Sequence, residues 1–323
     1  MNIQEVFDTF VTALEKNRME LLETVLDEKV EIYSSAHGIF TGRKEAKERL
    51  AWKGEPLDYS KIRIFNNVIR RKGDFAAQSA YFVVLIGKEV NGFMNHFQCA
   101  FLTTIEYHER AEGFQITKVR ANMTFECGNS LLVSKQWNMI DYGIFKGNTL
   151  NLIRPEDSPW DLVKDTDDVM TEEDKIKECF RRYNWLIDVD DWDRLPLVAT
   201  ENLYLPELGE HSRQDWIEML RNKREKELCF NGKKVPKEAC WNHISSFKEI
   251  RINGDVAEAD IYRFEPNRIG TRFLHKYNMD TLYYSCTWHM TFAKTAEDVW
   301  KMDHFGYEAN IVEDNESFNR RYF

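Results

Sequence analysis

The sequence predicts an α+β protein built from two tandem domains, each with helices first and a curled antiparallel sheet after them. Three observations support this prediction. The chain has 323 residues, about the length of two ordinary domains. The same order of patterns occurs twice along it, as expected of an internal duplication. Within each copy, helical periodicity is followed by strand alternation.

Each copy opens with an amphipathic helix, in which apolar residues recur at helical spacing. These residues are Phe7, Phe10, Val11 and Leu14 in the first copy, and Ile176, Phe180, Tyr183 and Ile187 in the second. A short strand follows in each case, and then a polar turn that leads to a second helix. Aligning the two turns places Arg43 opposite Arg213.

The sheet of each copy is predicted from two strand pairs. The first pair surrounds a Gly-Asp turn, where Asp74 and Asp255 occupy the same place. The last pair aligns Cys99 with Cys286. Apolar residues alternate on both sides of the turns, which is typical of a half-buried antiparallel sheet.

The predicted domain limits follow from the segment between the copies. Residues 151–170 gather prolines and acidic residues without periodicity, which indicates a linker. The first domain is therefore predicted over 1–150 and the second over 171–323.

Composition excludes several classes of function. With 54 acidic against 44 basic residues the net charge is -10, and the short basic runs are flanked by acidic residues, which argues against nucleic-acid binding. No stretch approaches the ~20 consecutive apolar residues of a membrane span. The opening MNIQEVFDTF lacks a basic region followed by an apolar run. We expect a cytoplasmic protein.

Neither a metal nor an organic cofactor is predicted. The six cysteines are scattered without a C-x-x-C pair, so free and mostly buried thiols are expected. The eight histidines show no metal-ligand spacing, and neither G-x-G-x-x-G nor a P-loop occurs.

The second copy contains the residues that a proton-transfer site needs. Tyr183 and Asp188 lie in the run YNWLIDVDDWD, and His243 follows on a predicted strand. A phenol can donate a proton, an imidazole can accept one near neutral pH, and a carboxylate can orient the imidazole. Each residue taken alone is at least as often structural, and only the three together favour a catalytic function.

The order of elements, with a Gly-Arg-like turn before the short helix, resembles the SnoaL-like branch of the nuclear transport factor 2-like superfamily, once per half. The resemblance implies cone-shaped domains, each a bent sheet wrapped around an apolar cavity and its N-terminal helices. The second half is similar to SnoaL-like dehydratases such as bile acid 7α-dehydratase and scytalone dehydratase. That similarity implies catalytic roles for Tyr183, Asp188 and His243.

The first copy lacks these three residues. Aligning the opening helices puts Thr9 and Leu14 where Tyr183 and Asp188 stand, and aligning the Gly-Asp turns puts Ile62 at the position of His243. Its own histidines, such as His37, are interpreted as half-buried or loop residues. Because single-copy members of the superfamily commonly pair through their sheets, we expect the first half to form an intramolecular pseudo-dimer with the second. A homo-oligomer is also compatible with the sequence.

Alternation suggests walls for a pocket around the three residues. The candidate substrate-binding residues are Trp241, Tyr262, Phe264 and Trp288. For such aromatics a core function is favoured over a binding function, because any curled sheet needs large apolar residues at strand period.

The sequence therefore predicts a cofactor-independent lyase, a dehydratase that acts on a bulky apolar or ring-bearing hydroxy-carbonyl substrate by acid-base catalysis. An isomerase or aldol-type cyclase would use the same residues, and sequence does not separate them. A non-catalytic module that binds a small molecule or a protein is the alternative of a different class.

Overall fold

The computed structural model describes residues 1–129, 131–134, 137, 152–205, 209–227, 229–230, 233–234, 243–266 and 283–312. They form two compact units, Met1–Asp168 and the described residues from Val169 onward. Each unit holds a six-stranded mixed sheet with a few helices. The predicted fold class, α+β in two tandem domains, is confirmed. Among the described helices, none is long and apolar enough to cross a membrane.

The first unit runs in chain order through the following elements: α1 (Ile3–Glu15), α2 (Leu22–Val25), β1 (Leu26–Ser34), β2 (Gly38–Thr41), α3 (Arg43–Leu50), β3 (Tyr59–Lys72), β4 (Phe75–Val90), β5 (Phe93–Arg110), β6 (Gly113–Gly128), α4 (Leu131–Ser134) and α5 (Pro159–Leu162).

The second unit repeats this order: α6 (Glu172–Asp188), β7 (Ala199–Leu205), β8 (Gly209–Ser212), α7 (Arg213–Glu227), the two-residue strands β9 (Cys229–Phe230) and β10 (Lys233–Lys234), β11 (Ile244–Asn253), β12 (Val256–Pro266), β13 (Tyr283–Lys294) and β14 (Trp300–Val312).

The two sheets have the same topology. The strand order is β2-β1-β6-β5-β4-β3 in the first unit and β8-β7-β14-β13-β12-β11 in the second. The four long strands of each sheet pair antiparallel, as predicted. The prediction is incomplete at the short strands, since β1 runs parallel to β6 and β7 parallel to β14. A parallel pair needs a long connection, and α3 or α7 together with the long strands supplies it.

The Gly-Asp turns are confirmed as two-residue hairpin loops in both units. Lys72 pairs with Phe75 across the first turn, and Asn253 pairs with Val256 across the second. Gly73 and Gly254 have φ of 58° and 61°. This left-handed conformation at the first loop position suits glycine and matches the right-handed twist of the strands.

The aligned arginines make equivalent contacts. Arg43 Nε donates to the carbonyl of Leu26 at 2.8 Å, and Arg213 Nη1 donates to the carbonyl of Ala199 at 3.2 Å. Leu26 and Ala199 are the first residues of β1 and β7. In each unit the arginine thus links the start of the helix that it begins, α3 or α7, to the start of the short strand, β1 or β7.

The opening helix of each unit packs its apolar stripe on the sheet. In the first unit the rings of Phe7 and Phe82 lie 5.8 Å apart in an edge-to-face arrangement. In the second unit Phe180 packs edge-on against Phe247 at 5.5 Å and Trp288 at 5.4 Å. Such aromatic contacts add to the burial of apolar surface that drives each unit to fold.

The segment predicted as a linker packs partly on the first unit. Arg70 Nε donates to the carbonyl of Val163, and the backbone N–H of Gly73 donates to Asp167 Oδ2, each at 2.8 Å. Trp160 is buried. Residues 152–168 therefore add a layer to β3 and β4.

Of the six cysteines, Cys99, Cys179 and Cys286 are buried and are not in disulfide bonds. Cys240 and the side chains of the other two lie outside the described residues.

A capping box at the start of α6 generates a stability prediction. Thr171 Oγ1 accepts from the N–H of Asp174, whose carboxylate accepts from the N–H of Thr171, each at 3.1 Å. We expect Thr171→Ala to lower the free energy of unfolding of the second unit by about 1 kcal/mol. Urea denaturation at neutral pH measures it.

The control is Val169→Ala, since Val169 is 100% exposed and should not change stability. The hydrogen bonds from Thr171 lower the pKa of Asp174 below its ordinary 3.8 in the folded protein. A carboxyl pKa that is lowered in the folded state stabilises the folded protein at pH values above that pKa. The loss of unfolding free energy caused by Thr171→Ala should therefore shrink as the pH falls below 3.8. A loss that is unchanged in acid would contradict the contribution of the carboxylate.

Candidate active site

Helix α6 positions two of the three predicted catalytic residues. Tyr183 lies in its middle and Asp188 is its last residue, after which Val189 caps the helix and Asp190 turns the chain with φ of 59°. Five residues correspond to a rotation of ~140°, so the two side chains leave the helix on adjoining faces. Both are nevertheless buried, because the end of α6 lies on the sheet beside β11.

Asp188 and His243 form a buried pair with two contacts. Asp188 Oδ2 accepts from the backbone N–H of His243 at 3.0 Å, and Asp188 Oδ1 contacts His243 Nδ1 within hydrogen-bonding distance. The exposed fractions are 2% for Asp188 and 3% for His243. A carboxylate accepts hydrogen bonds only, so in a neutral ring Nδ1 is the protonated nitrogen and Nε2 the unprotonated one.

Tyr183 lies across from this pair in an aromatic cluster. Its ring centroid is 6.3 Å from that of His243, 6.0 Å from Trp216, 6.0 Å from Trp288 and 5.6 Å from Phe305. The structure therefore brings the phenol, the imidazole and the carboxylate together. Large rings on three sides give these polar groups a surrounding of low polarity.

Burial determines the protonation state of the tyrosine. It raises the pKa of Tyr183 well above its ordinary value of 10.0. The nearby guanidinium of Arg263 lowers this pKa, whereas the carboxylate of Asp188 raises it, as burial does. Tyr183 consequently remains protonated at neutral pH and acts as a donor.

Arg263 is one residue that the sequence analysis missed. It follows Ile261 by two on the inner face of β12, and its Cζ lies 5.1 Å from the ring centroid of Trp288. Alternation from a buried residue could have identified it, but only once the inner face of the strand was known. It places a cation beside the aromatic cluster.

A second polar pair was also missed. Asn184 Nδ2 donates to Ser245 Oγ at 2.9 Å, and both residues are buried. Asn184 follows Tyr183 on α6, and Ser245 is two residues beyond His243. Asn184 Oδ1 has no hydrogen-bond partner among the described residues. No periodic signal in the sequence distinguishes this pair from core positions.

The candidate wall residues have different positions. Trp288 contacts both Tyr183 and His243, with ring centroids 6.0 Å and 6.2 Å apart. Tyr262 is 46% exposed on the outer face of β12, where Lys248 lies over its ring, so the structure does not bring it to the three residues. Phe264 is half-buried two residues further along the same strand. Trp241 lies outside the described residues.

The structure corrects the alignment of the opening helices by one residue. Glu15 ends α1 as Asp188 ends α6, and Glu15 Oε2 accepts from the backbone N–H of Ile62 at 2.9 Å, just as Asp188 accepts from that of His243. The first unit thus keeps a carboxylate but has an apolar residue in place of the histidine, and Leu14 and Ile62 line a cavity of about 60 Å³. His37, interpreted as a half-buried or loop residue, is fully buried at the same cavity. Burial lowers its pKa to about 4, so the ring is neutral at physiological pH.

No group of three or more histidine, cysteine or acidic residues able to hold a metal ion occurs in the part of the chain that the structure describes.

No protein-family model matches the sequence, and no curated protein is significantly similar to it. Solved structures resemble parts of the chain. The Kfla4162 protein from Kribbella flavida is 13% identical, with 41% of this chain and 94% of that one covered and a TM-score of 0.36.

Hexachlorocyclohexane dehydrochlorinase LinA-type3 from Novosphingobium barchaimii LL02 is 15% identical over 40% of this chain and 88% of its own, with a TM-score of 0.32. A nuclear transport factor 2-like superfamily protein from Salmonella enterica serovar Typhimurium LT2 is 13% identical over 37% and 86%, with a TM-score of 0.31. Each match covers most of the other chain and less than half of this one.

The Asp188–His243 contact generates a tautomer prediction. In the wild type we expect Nδ1 of His243 to be protonated. In Asp188→Asn the amide can donate to Nδ1, so the ring proton should move to Nε2. Two-bond ¹⁵N–¹H correlation spectra of the histidine rings distinguish these states.

The control is Asp260→Asn. It alters an exposed pair, in which His289 Nδ1 and Asp260 Oδ1 lie 2.8 Å apart, and should leave the His243 signals unchanged. An unprotonated Nδ1 in the wild type would refute the proposed orientation of the imidazole.

His37 generates a prediction on pH. An unfolded histidine binds a proton near pH 6.5, whereas folded His37 does so only near 4. Between these values the unfolded state binds more protons, so the first unit should lose roughly 3 kcal/mol of stability as the pH falls from 6.5 to about 4. Titration of the His37 Cε1 proton signal and urea denaturation across this range measure both quantities.

Because carboxylates also titrate in acid, the informative quantity is the difference between the wild type and His37→Phe. In His37→Phe, the loss of unfolding free energy between pH 6.5 and 4 should be smaller than in the wild type by roughly 3 kcal/mol. A normal titration midpoint for His37 would contradict its burial as a neutral ring.

Proposed function

We propose that the second unit is an acid-base lyase that eliminates water from a bulky, ring-bearing hydroxy-carbonyl substrate without a cofactor. The observation that carries this proposal is the buried Asp188–His243 pair with Tyr183 facing it. A carboxylate buried to this extent is costly unless it is paired. A pair held by two contacts, beside a protonated phenol, is an arrangement suited to proton transfer.

In the proposed reaction His243 acts as the general base. In its neutral form, Nε2 removes the proton on the carbon next to the substrate carbonyl, and the electron pair forms an enolate. Asp188 holds the ring through Nδ1 and stabilises the imidazolium that results. The elimination is completed when the enolate electrons re-form the carbonyl, the new carbon-carbon double bond forms and the carbon-oxygen bond to the leaving hydroxyl breaks.

Tyr183 and Arg263 are proposed to stabilise negative charge. Since burial keeps Tyr183 protonated, its hydroxyl can donate to the enolate oxygen or to the departing hydroxyl. The leaving hydroxyl takes up the proton that His243 removed from carbon and departs as water, which returns the imidazole to its neutral form. The guanidinium of Arg263 lies near the same phenol and adds a positive field where the charge develops.

The aromatic cluster supports the choice of substrate. Trp216, Trp288 and Phe305 surround Tyr183 with flat apolar surfaces. Such surfaces bind rings by stacking and exclude water, which strengthens the electrostatic interactions of the site. An isomerase or cyclase would use the same proton transfer, and the mass of the product separates it from a dehydratase, because only dehydration loses water.

The proposed function predicts the effect of removing the base. With ring-bearing β-hydroxy ketones as test substrates, mass spectrometry should detect the loss of water with the wild-type protein. His243→Ala should lower kcat/KM by about 10²- to 10⁴-fold, the range of general acid-base catalysis. Tyr183→Phe should lower it as well, with a larger effect on kcat than on KM.

The matched control is His289→Ala, which removes the exposed histidine of β13 that pairs with Asp260 and should leave activity unchanged. Activity that survives in a folded His243→Ala protein would eliminate the proposed base. A product of unchanged mass would assign the site to isomerisation.

A further inference from the structure

The cavity of the first unit contains two buried polar groups without partners. His37 Nε2 and Thr103 Oγ1 make no hydrogen bond within the part of the chain that the structure describes. Both residues line the cavity of about 60 Å³, and their exposed fractions are only 5% and 2%. Buried polar groups in folded proteins are nearly always satisfied, so each of these two atoms indicates a missing partner.

Ser34 determines which tautomer His37 adopts. The oxygen of its hydroxyl accepts from the backbone N–H groups of Ala36 at 3.3 Å and His37 at 3.1 Å, which uses both lone pairs. Ser34 Oγ also lies 3.2 Å from His37 Nδ1. The hydroxyl proton must therefore point to Nδ1. In a neutral ring the remaining proton is then on Nε2, which is a donor.

The walls of the cavity exclude charged ligands. Its described lining residues are neutral and mostly apolar, among them Phe10, Leu14, Ile62, Phe82 and Phe101. Burial of an unpaired charge among such residues is strongly unfavourable. The donor at His37 and the hydroxyl at Thr103 instead match a single neutral acceptor, such as a carbonyl oxygen.

The cavity adjoins a larger pocket. A second void of about 400 Å³ shares four lining residues with it, namely Leu14, Ile62, Val84 and Trp137. Its other lining residues include Glu15, Lys16 and Asp58, so this end is polar. A volume of this size lies within the range of small-molecule sites.

We propose that the first unit is a binding site for a neutral, largely apolar molecule that carries a carbonyl oxygen, with that oxygen placed between His37 and Thr103. The apolar part of the molecule extends past Leu14 and Ile62 toward the larger pocket. Binding is expected without conversion, because Ile62 occupies the position of His243, the proposed base. This inference does not rest on the proposed function of the second unit.

The test uses two probes of the same shape with the full-length chain. Acetophenone has a carbonyl oxygen, whereas α-methylstyrene has a methylene group in its place. Binding is followed by the ¹⁵N and ¹H signals of the His37 ring, which report on this cavity alone. We expect acetophenone to bind about threefold to tenfold more tightly than α-methylstyrene, the effect of one hydrogen bond.

Thr103→Val is the main variant because it keeps the shape and removes the unpartnered hydroxyl. It should weaken acetophenone binding and not that of α-methylstyrene, and the unliganded protein should be at least as stable as the wild type. Ile62→Phe, which fills the cavity, should abolish the binding of both probes. His96→Gln, on the exposed part of β5, is the control that changes neither.

Equal affinity for the two probes, or acetophenone binding that is unaffected by Thr103→Val, would overturn the proposed contact with the carbonyl. His37 signals that shift with neither probe would mean that the cavity does not take such a ligand. Because His243→Ala leaves this cavity intact, acetophenone must still shift the His37 signals in that variant. A failure here and a failure of the lyase assay are therefore distinguishable.

Discussion

The inner face of each curled sheet imposes the constraint on which the rest of the structure depends. Side chains on that face point at one another and at the opening helix, so every polar group placed there loses its contact with water. Such a group is tolerated only with a protein partner, a bound water or a ligand. In the second unit, the carboxylate of Asp188 meets this condition through the backbone and the ring of His243. The same two contacts fix the end of α6 against the start of β11.

The two units have the same arrangement of strands and turns, but they satisfy the polar groups on the inner face of the sheet in different ways. They share the strand order, the Gly-Asp turns and an arginine that ties the second helix to the short strand. At the position of Asp188 the first unit has Glu15, which accepts from the backbone N–H of Ile62, and Ile62 itself stands in place of His243. Two further buried polar groups come from other elements, the turn after β1 for His37 and the middle of β5 for Thr103. The two units thus share a fold and differ in the chemistry of their interiors.

Much of the frame could be predicted from local patterns. The helical stripe with Phe7 and Phe10 and the Gly-Asp turns depend on neighbouring residues, so the sequence contains them directly. The parallel pairing of β1 with β6 is different, because it joins residues about ninety apart and no local pattern describes it. The same limit applies to the contacts of α1 with β3 and β6.

The proximity of Tyr183, Asp188 and His243 was expected from the resemblance to SnoaL-like dehydratases, because α6 and β11 are separated by several elements and no local pattern connects them. Their neighbours could not be predicted, because strand phase is lost at irregularities. The pairing of β11 with β12 shifts between Phe247 and Glu249, and that of β13 with β14 shifts between Thr291 and Phe292. Past such a shift, alternation no longer tells which face is inward. β12 itself alternates without a shift, but its sequence does not tell which face is inward, so Arg263 and the outward position of Tyr262 required the structure.

The two buried histidines differ in the partner of the ring, and the proposed chemistry of each unit follows from that difference. A general base works best when its pKa is close to the ambient pH. His37 has a pKa of about 4 and no carboxylate among the described residues that line its cavity, so a proton taken from carbon would find neither a strong acceptor nor a counter-charge. His243 has the carboxylate of Asp188 on one ring nitrogen, which stabilises the protonated ring that proton abstraction would create. As proposed, the first interior holds a neutral molecule, whereas the second also stabilises the ionic states through which such a molecule would react.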